Sequence, residues 1–187
     1  MGDWIELDTR RGPVRGWHAA PDGEATGGLV VIQEIFGVNG HIRDVADRFA
    51  REGFEVIAPS LFDPVERGVE LGYDEAGIAR GRELVGALGM EAAVDIVDAA
   101  AAGLREHHPK VGAVGFCWGG SVALLANTRL GLPAIIAGVL VVHGGGLIVT
   151  SREYSIALIV LALVALVGLL RNGRRNRNRL EAQVSEA

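Results

Sequence analysis

The sequence holds a single cysteine, and its neighbours are those of a nucleophile. Gly115-Phe116-Cys117-Trp118-Gly119-Gly120 follows the apolar run KVGAVGF (110–116) and leads into SVALLANTRL (121–130), which reads as a helix. An apolar strand, a tight glycine-rich turn and a helix form the setting of a nucleophile elbow. A nucleophile on such a turn sits in a strained backbone conformation, and residues without Cβ beside it let the turn close and the helix approach the sheet. The turn also sets the thiol at a helix N-terminus, where the dipole and N–H groups favour thiolate and can bind a developing oxyanion. A lone cysteine is otherwise more often a buried structural residue; the strand, glycines and helix together favour the nucleophile.

Glu34 is the second candidate. It lies in Gln33-Glu34-Ile35-Phe36-Gly37-Val38-Asn39, directly after the apolar run GGLVVI. That run reads as a strand buried on both faces, expected beside the strand that leads to Cys117. Sites on open α/β sheets form at such strand ends. A carboxylate there can control the protonation of a neighbouring thiol, and the next backbone N–H can serve as an oxyanion donor. The plainer reading is that Glu34 caps the following helix.

The elements that position these residues read as an α/β fold. WIELDT (4–9) and PVRGWHA (13–19) read as an opening hairpin. After the buried strand, HIRDVADRFAREG places Ile42, Val45, Ala46 and Phe49 at helical spacing and stops at Gly53. FEVIAP (54–59) is the next strand, followed by a polar loop with Pro64, Gly68 and Gly72. A helix capped by Asp74 comes next, then a long Ala-rich helix over 90–108. Strands alternating with helices predict a mostly parallel sheet with helices on both faces. His41, His107 and His108 precede the elbow and read as helix-surface residues.

Composition excludes several classes. The chain is 49% hydrophobic and 22% charged, which excludes disorder, and one cysteine excludes a disulfide scaffold and suits a reducing compartment. Residues 1–150 carry 12 Lys and Arg against 20 Asp and Glu, a balance of −8; residues 151–187 carry 6 against 3, a balance of +3. The acidic part has one lysine, Lys110, and no basic face for a phosphate backbone, so nucleic acid is not an expected partner. The N-terminus has no signal-peptide pattern.

GFCWGG together with QEIFGVN, HIRDVADRFAREGF and APSLF resembles the dienelactone hydrolase family, the carboxymethylenebutenolidase-type branch of the α/β-hydrolases. The resemblance covers residues 3–134, with several motifs in order. It implies a Cys-His-Asp triad acting on lactones or small esters, with no cofactor and no metal. Cys117 would be the nucleophile and Glu34 the carboxylate that governs its activation, with the backbone N–H groups of Ile35 and Trp118 as the oxyanion hole. Arg80 or Arg82 lies near where the family places an arginine for a substrate carboxylate. The chain departs from the pattern in two places. Ser60 stands where the family usually has Asp. Downstream of Cys117 there is no aspartate, and the only histidine is His143. His143 follows the apolar run AIIAGVLVV, so it is a candidate substitute base at a strand end; the plainer reading is a histidine beside a glycine turn.

The remaining feature is IALIVLALVALVGLL (156–170), fifteen apolar residues, or seventeen counted from Tyr154. Seventeen is the lower limit for a membrane span, and RNGRRNRNR after it has five arginines in nine residues. Two arrangements fit. In one, 133–149 and 154–170 form a membrane hairpin; in the preferred one, 133–142 stays a sheet strand and 154–170 is a weakly oriented anchor. The expected organisation is an incomplete α/β-hydrolase domain over 1–145, a transmembrane helix over 154–170 and a basic tail over 171–187. The chain would be membrane-associated with its hydrolase-like part cytoplasmic, and either a lactone or small-ester hydrolase with a cysteine nucleophile or a catalytically impaired, membrane-anchored, truncated or fused relative.

Overall fold

In a computed structural model of the chain, residues 2–132 and the strand Ala134–Ala137 are described. The hairpin forms as the sequence predicts: β1 (Asp3–Thr9) pairs antiparallel with β2 (Gly12–Ala19), and Gly12 takes a φ of 93°, which a side chain would oppose. The four following strands, β3 (Gly27–Ile32), β4 (Phe54–Pro59), β5 (Val111–Phe116) and β6 (Ala134–Ala137), are parallel to one another. β2 joins them by pairing antiparallel with β4, so the sheet is mixed, in the order β1-β2-β4-β3-β5-β6. β3 is buried at every position, as a central parallel strand covered on both faces must be.

Strand order determines where the helices go. The chain leaves β3 through α1 (Gly40–Arg51) to reach β4 on one side, then leaves β4 through α2 (Glu75–Arg105) to reach β5 on the other. Right-handed crossovers in opposite directions set α1 and α2 on opposite faces. α3 (Trp118–Leu130) continues in the direction of α2 and shares its face. The core between α2, α3 and the sheet is built from Val30, Ile32, Phe62, Leu84, Ile96, Val97, Leu104 and Val122, all buried. Each aliphatic side chain of this kind contributes about 1.5–3 kcal/mol on burial.

The two helices read between Asp74 and His108 appear as α2 with a break at Gly89, whose φ of 75° and ψ of 161° only glycine adopts readily. Asp74 caps its start by accepting a hydrogen bond from the Gly77 N–H at 2.7 Å. α1 is capped by Asn39, whose side chain accepts from the N–H groups of His41 and Ile42, so the capping role considered for Glu34 belongs to Asn39. No helix among the described residues is long and apolar enough to cross a membrane. Residues 138–187, including His143, the apolar segment 154–170 and the basic tail 171–187, lie outside the described residues.

Candidate active site

Parallel strands β3, β4 and β5 end at the same edge of the sheet, and the loops that leave them carry the candidate residues. Cys117 occupies the turn between β5 and α3 with φ 51° and ψ −118°; among the described residues it is the one non-glycine with positive φ. The strain at this position is held by its surroundings. A Cβ at Gly115 would run into the Gly119 carbonyl, and one at Gly119 into the Gln33 and Ile32 carbonyls, so both glycines are required for α3 to start where it does. The close approach also pulls the β3 exit loop against the elbow.

Two further contacts lock the three loops together. Gln33 is fully buried, and its side-chain oxygen accepts from the Leu61 N–H at 3.0 Å, tying the exit of β3 to that of β4. The Trp118 indole stacks on Phe62, with ring centroids 5.7 Å apart and planes 15° from parallel. Ile35 sits in the turn directly after Glu34, and α2 lies so close to it that a Cβ at Gly81 would meet the Ile35 carbonyl.

The electrostatics differ from the sequence expectation at one point. A helix N-terminus favours thiolate, and the Trp118 N–H does donate to the sulfur, which lowers the thiol pKa. Burial of the sulfur outweighs it, however, and the charge of Glu34 acts in the same direction as burial. The Cys117 thiol therefore lies above its usual range and is protonated at rest. Ionisation needs the proton to be taken up by a base, and Glu34 is close enough for its charge to bear on the sulfur.

Glu34 has a partner that sequence reasoning missed. The Tyr73 hydroxyl donates to its Oε2 at 2.7 Å, and the Tyr73 ring packs on Phe36 at 4.4 Å between centroids. Burial of the hydroxyl end and the neighbouring Glu34 charge push the Tyr73 phenol well above its usual range, so it acts as a donor. The available signal was a tyrosine between Gly72 and Asp74 in a polar loop at the active edge of the sheet. Arg80 is exposed on α2 and paired with Glu66 and Glu83; Arg82 is exposed too, and neither bonds to Glu34. Among the described residues no group of His, Cys, Asp and Glu is placed to hold a metal ion.

A sequence profile of the dienelactone hydrolase family matches residues 14–166. The chain belongs to the dienelactone hydrolase family. The match runs past residue 134, where the motif resemblance stops, and takes in His143. A candidate carboxymethylenebutenolidase of Synechocystis is 42% identical over 113 residues, 58% of this chain and 45% of that protein. The carboxymethylenebutenolidase of Rhodococcus opacus is 34% identical over 113 residues, 60% of this chain and 43% of its own. The chain thus spans less than half the length of these curated relatives. Among solved structures, a candidate dienelactone hydrolase of Klebsiella pneumoniae shares the fold with a TM-score of 0.58 at 28% identity, covering 69% of this chain and 55% of that one.

Proposed function

We propose that this dienelactone hydrolase family member cleaves a lactone or small carboxylic ester, using Cys117 as nucleophile and no cofactor. The backbone of Cys117 supports the reading most: a positive φ on a cysteine, closed in by Gly115 and Gly119 at the active edge of the sheet, exposes a nucleophile at the start of a helix. The Cys117 proton passes to Glu34, and the thiolate attacks the carbonyl carbon. The Ile35 and Trp118 N–H groups hold the oxyanion, the C–O bond breaks as Glu34 returns the proton to the leaving alcohol oxygen, and water hydrolyses the acyl-thioester to the acid and free thiol. Relatives named carboxymethylenebutenolidase support the lactone as substrate class.

The sequence beyond the elbow supports a second reading. Residues 118–187 hold no aspartate and one histidine, His143, and the second reading is a catalytically impaired relative anchored in a membrane through 154–170, its hydrolase-like part cytoplasmic. Hydrolysis of p-nitrophenyl acetate and of a dienelactone by the purified full chain and by Cys117→Ala separates the two. The enzyme reading expects the variant to lose at least 100-fold in kcat/KM, about 2.7 kcal/mol of transition-state stabilisation. Equal rates for both proteins leave only the impaired relative.

A further inference from the structure

We propose that Tyr73 is a positioning residue for Glu34, holding its carboxylate in place beside Cys117. The inference rests on the reading that Glu34 governs Cys117.

Three observations carry it. The Tyr73 hydroxyl donates to Glu34 Oε2 at 2.7 Å, a hydrogen bond to a charged acceptor. The loop bearing Tyr73 is stitched to the loop after Glu34 at two places: the Leu71 N–H donates to the Phe36 carbonyl at 2.9 Å, and Gly37 bridges to Glu70. The ring packs on buried Phe36 at 4.4 Å and lies nearly perpendicular to the His41 ring at 6.3 Å between centroids. Tyr73 therefore reaches Glu34 from a fixed platform although the residue is 41% exposed.

The charged groups around the pair are engaged with one another. On α1, Arg43 pairs with Glu70 at 2.7 Å, leaving His41 as the titratable group that faces Tyr73. On the loop and α2, Asp74 caps Gly77, while Arg80 holds Glu66 and Glu83. Tyr73 is thus the donor that Glu34 has from the described part of the fold.

The chemistry is a proton transfer between two sites. The Cys117 S–H bond breaks, an O–H bond forms on Glu34, and the negative charge moves from oxygen to sulfur. A donor on Glu34 fixes the carboxylate where its charge opposes the thiolate. Removing the donor frees the carboxylate to leave the sulfur, and its charge then opposes the thiolate less.

Because Cys117 is the sole cysteine, alkylation by iodoacetamide reports its thiolate directly, independent of turnover. The full chain, Tyr73→Phe, Glu34→Gln and the double variant would be alkylated between pH 5 and 10. Tyr73→Phe is expected to raise the rate near pH 7 by about three- to tenfold and move the profile to lower pH, in line with the loss of one charge-assisted hydrogen bond at a partly exposed site. Glu34→Gln is expected to raise it as well by removing the charge, and the double variant to match Glu34→Gln. If Glu34→Gln shifts the profile while Tyr73→Phe leaves it unchanged, or if the two effects simply add, the role of Tyr73 is overturned. If Glu34→Gln itself has no effect, the underlying reading of Glu34 fails instead.

Discussion

The chemistry proposed for this chain turns on one strained residue. A cysteine at φ 51° persists only where its neighbours leave the backbone no other path. Gly119 supplies that constraint, since α3 can abut the β3 exit only without a Cβ there. Gly119→Ala is therefore expected to destabilise the fold by about 1–3 kcal/mol by forcing backbone apart, and to slow alkylation of Cys117 relative to its own folded fraction. Urea unfolding followed by circular dichroism measures the first and iodoacetamide the second; an unchanged midpoint would show that the turn is not close-packed. At this scale the sequence was legible where residue type is forced. Cys117 stands out for the strained turn it occupies, and Gly115 and Gly119 because a Cβ at either would strike neighbouring backbone. Tyr73 did not, because its role depends on a partner 39 positions away.

At the scale of elements, a second polar cluster joins pieces far from the elbow. Glu55, near the start of β4, is flanked by His18 of β2 at 2.8 Å and by His108, just after α2, at 2.5 Å. Burial tends to raise the Glu55 carboxyl, but the hydrogen bonds from His108 and His18, with their charges, hold it below its usual value. A carboxyl lowered in the folded state adds stability above its unfolded pKa, near 4.5, and loses it as pH falls through the lower folded value. Glu55→Gln is expected to lower Tm by a few degrees at pH 6–7, about 1 kcal/mol after allowing for solvent screening, with the difference shrinking below pH 4.5. Thermal melts across pH 3.5–7 check this; a difference that persists at the acid end would assign the effect to packing. His108 illustrates what sequence could not tell: it reads as a helix-surface residue, but α2 ends so that it meets β4.

For the whole molecule, the apolar segment 154–170 carries a prediction that fractionation checks. The proposed anchor predicts that the full chain sediments with membranes at high speed, resists a carbonate wash and is released by detergent. Recovery in the supernatant without detergent would remove the anchor. The order of elements was legible from sequence because apolar runs, helical spacing and glycine stops are local: hairpin, buried strand, capped helices and elbow all fall where their residues place them. The break at Gly89 was legible for the same reason, as a boundary between two helical segments. What sequence alone determined, then, is the set of elements and the strained turn that presents Cys117, because both follow from conformational limits of individual residues. Only tertiary structure decided the antiparallel junction of β2 with β4, the coupling of Gln33 to Leu61, the protonated resting thiol and the Tyr73 hydroxyl on Glu34. Each of these depends on burial and on partners brought together by the crossovers, and neither is encoded in local residue patterns.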